Sequence, residues 1–403
     1  MGVVEFLKEE KFLMEDALKG SLKEHRRDAY TEMEKANIIV LHGLRGTGKT
    51  TLIAQKYAET GKGLAIHGEH LGLAGYTIKD LISPLRHILT EGYLFFDEIA
   101  KLKNWPEEIK VLSDMYPKIK IVITGSSAVN LQNAKRILSR RALFIHLRPL
   151  TFNEFLRIRY GKTIAQFDPF SGDPLTSALR TELDFREKIT DPPEAVLSEY
   201  KRANLPYLLE KPVSTLLDML DRVIYEDIGS TGSFSEDVLG KFWPLLKLLA
   251  LSEKTSYDNL STDLGLGKGT VVKMIEYLTK ANLIIPVMPY KSGKAKVRKE
   301  SKYLFASPVI RETILQLLGE KERAVGLGRE DLFAMHVDGL FYLKTGPDYV
   351  WNNALFEIGG PSKSSGQFAM VNAKLKHFII HEGTEISYAD IMKIPFYVFL
   401  THK

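Results

Sequence analysis

Short apolar runs alternating with amphipathic stretches dominate the first third of the chain. Residues 36–41, 64–66, 93–96, 119–123 and 143–147 are nearly unbroken apolar runs, which predict strands buried on both faces of a sheet. Between them, residues 49–60, 77–89, 106–114 and 128–139 carry helical spacing. Strands separated by single helices predict right-handed crossovers and therefore a parallel sheet. Upstream, residues 5–35 read as charged amphipathic helices with Phe6, Leu7, Phe12, Leu13, Ala17, Leu18 and Leu22 as a packing stripe.

The pattern then changes. Residues 150–160 lead out of the sheet into a helical lid, which two further helices continue across 194–228, with proline-rich breaks at 167–174 and 191–193. Ser230-Thr231-Gly232-Ser233 marks a boundary. Helices at 242–251, 257–264 and 270–281, with a glycine turn at 265–269, have helix-turn-helix spacing, and 283–289 with 303–305 would be the strands of a wing. A helix at 310–318 precedes strands at 339–344, 349–351, 354–358, 368–372, 378–381 and 396–400. The predicted organisation is N-terminal helices at 1–35, a sheet core at 36–150, a lid at 151–232, a winged-helix domain at 233–309 and an α+β C-terminal domain at 310–403.

Composition narrows the class only slightly. The 403 residues are 44% hydrophobic and 26% charged, ordinary for a globular protein of two to four domains. No apolar run reaches the about 18 residues of a membrane span, and Met1-Gly2-Val3-Val4-Glu5-Phe6 lacks the charged and apolar regions of a secretion signal. A cytoplasmic location is expected. With no cysteine, disulfides, thiolate metal sites and cysteine nucleophiles are excluded, which fits a reducing compartment or a thermophilic source. A net charge of +5 permits a local nucleic-acid patch without arguing for one.

The chemistry lies at two strand ends. After the first strand comes Gly43-Leu44-Arg45-Gly46-Thr47-Gly48-Lys49-Thr50-Thr51, the glycine loop and helix start of a P-loop. Glycines let backbone N–H groups turn onto phosphates and the next helix adds its positive end. Lys49 would reach the outer phosphates and Thr50 would ligate Mg²⁺. Tyr93-Leu94-Phe95-Phe96-Asp97-Glu98-Ile99 reads as a Walker B strand, in which Asp97 holds Mg²⁺ through water and Glu98 polarises the attacking water. The pair implies hydrolysis of ATP as well as binding.

Ile121-Val122-Ile123-Thr124-Gly125-Ser126-Ser127 ends in small hydroxyls. In additional-strand P-loop ATPases such a strand lies between the P-loop and Walker B strands and offers a polar sensor. Ser126 or Ser127 is the candidate, and either would equally serve as a helix N-cap. Arg140 and Arg141 close the next helix, where a cation is favourable on dipole grounds and where an arginine can reach a neighbouring subunit's γ-phosphate.

These phrases, with Asp97-Glu98-Ile99-Ala100-Lys101-Leu102-Lys103-Asn104-Trp105, Leu147-Arg148-Pro149-Leu150-Thr151-Phe152, Ala203-Asn204-Leu205-Pro206 and Val223-Ile224-Tyr225-Glu226-Asp227-Ile228, resemble archaeal and bacterial AAA+-type ATPases that carry a winged helix and a C-terminal domain of unknown function. The resemblance covers most of the chain. It implies an α/β fold with an AAA+-like P-loop sheet followed by lid, winged helix and α+β domain. It also matches Arg141 to the family's arginine, although Arg140 stands where the family has glycine, and Tyr207 stands where it has glutamate.

In that family the C-terminal domain resembles a restriction endonuclease, whose site needs an acid followed by Glu-x-Lys. Here Asp348 and Glu357 stand in the acidic positions and Gly359 in the lysine position, so nuclease activity is not expected, with weak metal binding by the two acids left open. The wing is rich in cations. Lys294, Lys296 and Arg298 at its tip, with Lys268 and Lys273 on the third helix, could track a DNA backbone, yet that helix lacks Arg, Asn or Gln to read base edges. A protein partner is therefore an expectation of equal standing, and the sequence leaves a homo-oligomer and a monomer both open. His67, Glu69 and His70 have metal-like spacing but read as a polar loop; His67 also stands where AAA+ proteins place a residue that restrains the catalytic glutamate.

Overall fold

The computed structural model describes residues 2–21, 23–61, 63–99, 102–125, 131–252, 255–290, 301–361, 363–368 and 375–402. The chain forms two compact units, one of Met1–Arg148, Met219–Ser235 and Lys280–Asn282, the other of Pro149–Asp218, Glu236–Thr279 and Leu283–Lys403.

In the first unit all five predicted strands form: β1 (Ile38–His42), β2 (Gly63–His67), β3 (Gly92–Asp97), β4 (Ile119–Gly125) and β5 (Ala142–His146). They pair in the order β2-β3-β4-β1-β5, every pairing parallel, so β4 does lie between the P-loop strand and the Walker B strand. Each strand feeds both faces. Ile38, Val40, Leu94, Phe96, Ile121 and Ile123 enter one core, while Ile39, Leu41, Phe95 and Val122 enter the other. This is why the runs show no polar alternation. The helix Lys49–Thr60 begins and ends at the predicted residues. The first helix, Val3–Ser21, gives Phe6 and Leu7 to one core and Met14 and Leu18 to the other, and its buried Glu10 accepts from the His67 backbone N–H at 2.7 Å. These N-terminal residues are part of the sheet unit and not a separate segment.

The second unit has one eight-stranded sheet in the order β12-β13-β11-β10-β9-β8-β6-β7. Its strands are β6 (Ile284–Pro289), β7 (Lys302–Phe305), β8 (Phe341–Tyr342), β9 (Tyr349–Trp351), β10 (Ala354–Gly359), β11 (Lys376–His381), β12 (Ser387–Tyr388) and β13 (Met392–Pro395). The helices Phe242–Leu251, Tyr257–Leu264 and Lys268–Lys280 precede the antiparallel pair β6–β7, within two residues of the helix limits expected from the sequence.

The five sequence segments are divided differently in the structure. Strand β6 pairs in parallel with β8, so the expected wing strands continue the C-terminal sheet. The expected boundary at 309/310 falls inside the helix Pro308–Leu317. The lid helices and the C-terminal sheet share one core, in which Phe152, Phe155, Phe185 and Tyr200 join Phe333, Phe356, Phe378 and Phe399. Residues 219–232, expected in the lid, and 233–235, expected in the winged-helix domain, pack with the first unit. Residues 396–400, expected as a strand, are instead the short helix Phe396–Phe399, closed by the Leu400 N–H on the Phe396 carbonyl at 2.8 Å. Every side chain of that run is buried, so periodicity could not separate helix from strand. Of the strand expected at 368–372, Phe368 ends a 3-10 turn, Ser365–Phe368, and 369–372 lie outside the described residues.

Candidate nucleotide-binding site

The loop Gly43 to Gly48 joins the central strand β1 to the helix Lys49–Thr60. Gly46 and Gly48 take φ of +79° and +91°, values that any other residue adopts only at a cost, and Gly48 is the N-cap of the helix. Thr47 Oγ1 closes the loop on the Leu44 carbonyl at 2.8 Å. Lys49 is 6% exposed, and its Nζ donates to the carbonyls of Gly43 at 3.0 Å and Leu44 at 3.2 Å. Burial holds this ammonium below its ordinary pKa, against the pull of Glu98, Asp97 and Asp227. Thr51 follows, half-buried in the first turn.

Beside the loop, Thr50 Oγ1 donates to Asp97 Oδ2 at 3.0 Å. The other Asp97 oxygen accepts from Thr124 Oγ1, and the same Thr124 oxygen accepts the Glu98 backbone N–H at 2.9 Å. Thr124, fully buried at the end of β4, therefore fixes both acids at once. The additional-strand order puts it there. Sequence reasoning placed the polar role on Ser126 or Ser127, which lie outside the described residues; the hydroxyl two positions earlier was the available signal. Glu98 has φ of +53°, a backbone conformation that a residue with a side chain holds only when its surroundings enforce it.

Enforcement comes from Gly68, the first residue of the helix Gly68–Leu73 after β2. A Cβ there would lie 2.6 Å from the Glu98 carbonyl oxygen and 2.7 Å from Ile99 Cα, and both are backbone atoms. Gly68→Ala must shift the Glu98 turn. If Glu98 is the base of an ATPase, kcat should fall about 10²-fold with nucleotide affinity kept, as for other displacements of a reacting group on the ångström scale; steady-state kinetics beside nucleotide titration checks it.

Two arginines support the loop that residue spacing did not reveal. Arg27 Nη1 donates to the carbonyls of Thr47 and Arg148, each at 2.8 Å. Arg45 lies in the loop itself and bonds Asp227 Oδ2 and Oδ1 at 3.0 and 2.7 Å and Glu226 Oε2 at 2.9 Å. Burial works to lower Arg45, but the Asp227 carboxylate outweighs it, with Glu98 and Glu226 adding to the rise. His42, the residue before Gly43, stacks on His146 at 4.9 Å, and burial, then His146, Lys135 and Lys49, pushes it down to about 3. It therefore adds no charge beneath the loop at neutral pH.

Arg141 is not brought to this site. Ile38 pairs with Ala142 and His42 with His146, so Arg141 precedes the end of β5 opposite the P-loop, where it pairs with Asp114. His67 pairs with Asp97 across β2 and β3, but its Nδ1 accepts from the Glu69 N–H at 3.3 Å as a helix cap. His70 meets Glu10 at 3.0 Å. Among the described residues no group of three or more His, Asp or Glu is placed to hold a metal ion. Thr50 and Asp97 nonetheless have the donor set of a nucleotide-borne Mg²⁺, one hydroxyl and one carboxylate side by side.

Fold and site together define a P-loop α/β unit with the additional strand between the loop strand and the acidic strand. The AAA domain family matches residues 35–156, and a domain of unknown function (DUF8612) matches residues 193–321, without a break at the expected boundaries of 232 and 309. An uncharacterized protein of Methanocaldococcus jannaschii is 30% identical over 378 residues, covering 88% of this chain and 77% of that protein. This chain belongs to the same family. Solved structures that overlap it include one describing katanin self-assembly, at 15% identity over 66% of this chain and 86% of that one with a TM-score of 0.24. Another is Saccharomyces cerevisiae Hsp104 with ADP, at 16% identity over 80% and 57% with a TM-score of 0.28. Overlaps of that size say nothing of activity. Among the described residues no helix is long and apolar enough to cross a membrane.

In the second unit the structure does bring together the acids matched to the nuclease pattern. Asp348 N–H donates to Glu357 Oε2 at 3.1 Å, and Ile358 N–H donates to Asp348 Oδ2 at 2.9 Å. The missing cation comes from elsewhere. Lys363 Nζ lies 2.5 Å from Glu357 Oε1, and a Cβ at Gly359 would lie 2.6 Å from Lys363 Cγ and Cδ, so this side chain fills the space a residue at 359 would use. Lys302 pairs with Glu330, which also accepts from the Tyr349 hydroxyl. Burial, then Glu330 and Glu357, pushes Asp348 up to about 6. The ammonium of Lys363 thus stands against Glu357 where the pattern asks for a lysine, and among the described residues no third His, Asp or Glu joins the two acids as a metal ligand.

Proposed function

We propose that this protein binds and hydrolyses ATP in a Mg²⁺-dependent manner. The observation that carries the reading is Thr50 at 3.0 Å from Asp97, with Thr124 tying Asp97 to the Glu98 backbone. Gly43, Leu44, Arg45, Gly46, Thr47, Gly48, Lys49, Thr50 and Thr51 form the phosphate cradle. Thr50 and Asp97 would hold Mg²⁺, whose charge offsets that of the phosphates. Lys49 exchanges its two carbonyl partners for phosphate oxygens, and Glu98 accepts a proton from the attacking water. Ser126 or Ser127 is the sensor, and Arg141, being remote from its own loop, serves a neighbouring subunit of a homo-oligomer.

The nucleotide cycle drives a conformational switch read out through the second unit. The three helices and the β6–β7 pair are a winged helix in this reading, and the C-terminal sheet is a restriction-endonuclease-like domain without nuclease activity. DNA is one output, through Lys268, Lys273, Lys294, Lys296 and Arg298; the last three lie outside the described residues. A protein partner is the other, favoured by Lys268, whose ammonium pairs with Asp258 at 2.9 Å. Phosphate release by the full chain, with and without duplex DNA at low salt, tests both. We expect Mg²⁺-dependent turnover that Asp97→Asn abolishes. Stimulation by DNA that Lys294→Glu, Lys296→Glu and Arg298→Glu together remove would select DNA; turnover indifferent to DNA would select the protein partner. Absence of nucleotide binding and turnover would overturn the ATPase reading.

A further inference from the structure

The two cations of the phosphate loop have different kinds of partner. Lys49 is held by neutral carbonyls, which a phosphate oxygen can replace without leaving a charge behind. Arg45 is held by two carboxylates in a forked contact, and these bonds are charge-assisted on both sides. The Asp227 side chain is 2% exposed and that of Glu226 is 46% exposed. Both acids lie on the π-helix Arg222–Ile228, a widened turn of the kind that recurs at functional sites. The segment that carries it, Met219–Ser235, packs with the first unit, while the chain before it and after it belongs to the second.

The charges of this contact oppose the loop's expected ligand. One guanidinium against two carboxylates leaves the loop with a net negative contribution where polyphosphate must bind. If Arg45 turns its Nε and Nη2 toward a phosphate, buried Asp227 loses the forked charge-assisted contact, which is unfavourable unless the segment opens to water. Arg45 therefore cannot give its Nε and Nη2 donors to the nucleotide and to Asp227 at the same time. Resting on the reading of this loop as a nucleotide site, we propose that Glu226 and Asp227 form an acidic latch: a nucleoside triphosphate competes with them for Arg45, and loading the loop releases the segment 219–235. The Val223 to Ile228 motif, otherwise without a role, is then the means by which the phosphate loop signals to the chain on either side of it.

The test uses the full chain and a non-hydrolysable ATP analogue, with affinity read by fluorescence titration and opening read by hydrogen exchange of the 222–228 amides. In the wild type, saturation with the analogue should raise exchange across 222–228 by about tenfold, a coupling of ordinary size between linked sites. Asp227→Asn keeps the shape and removes the charge. It should bind the analogue about tenfold more tightly, with 222–228 already exchanging fast before nucleotide is added. A purely structural Asp227 would instead give weaker binding together with faster exchange. Should Asp227→Asn fail to fold, Glu226→Gln should shift affinity in the same direction by a smaller factor. The latch is overturned if the wild type binds the analogue while exchange at 222–228 stays constant, or if neither variant binds more tightly. A wild type that binds no nucleotide overturns the site reading itself, and the latch with it.

Discussion

Glu98→Gln is expected to bind MgATP as the wild type does and to hydrolyse it about 10²- to 10⁴-fold more slowly, the range that loss of a positioned base produces. The geometry makes the substitution interpretable. The direction of residue 98 is set by its backbone, through φ of +53° and the N–H donated to Thr124 at 2.9 Å, and neither depends on the carboxylate. Glutamine keeps the shape and loses only the ability to take a proton. Single-turnover hydrolysis beside nucleotide titration checks it: a large loss in the chemical step at constant affinity assigns the base to Glu98. An unchanged step would move that role to another group. A loss of affinity would mean that the turn itself had collapsed, and Thr124→Val, which removes the tie to Asp97 and Glu98 together, would then give the same phenotype.

What was legible in the sequence follows from the range over which each signal acts. The five strands of the first unit were readable because each is a continuous apolar run between helices, and the P-loop and Walker B strings were readable because their chemistry is contiguous. Contacts made at long sequence separation were not. Arg45 and Asp227 are 182 positions apart, and nothing in either local context selects the other. The tie made by Thr124 was not readable either, since only the strand order and the register with β3 bring its hydroxyl to Asp97. Lys363 is a similar case. The pattern asks for a cation at 359, but a loop can deliver the same ammonium from four residues away. Domain limits were missed where helices of one segment bury their aromatic side chains against the sheet of another, because composition does not change at such a seam.

Arg311→Met should destabilise the second unit by about 3–5 kcal/mol, the cost of leaving a buried charge without its partner. Arg311 and Asp331 are both 0% exposed. The guanidinium donates to Asp331 at 2.6 and 2.9 Å and to the last carbonyls of the helix Phe242–Leu251, Leu249 at 3.2 Å and Ala250 at 3.0 Å. Asp331 in turn accepts the Phe305 N–H of β7 at 2.8 Å. One ion pair thus ties a helix end, strand β7 and the helix Lys321–Ala334, so its loss exposes several polar groups in one step. Thermal unfolding should fall by on the order of 10 °C, and its pH dependence identifies the cause. Burial already pushes the Asp331 carboxyl up, with Arg311 opposing it, so removing Arg311 raises it further. The folded variant then holds a proton that the unfolded chain releases, and its stability, fully present below the unfolded pKa of Asp, is lost as pH rises through the higher folded value. The deficit should therefore be smaller at pH 5 than at pH 8. Arg311→Met combined with Asp331→Leu removes both charges and should recover most of the loss, as apolar replacement of a whole buried pair does. A deficit equal at both pH values, or a double variant no better than the single one, would locate the damage in packing at residue 311 and not in the stranded carboxylate.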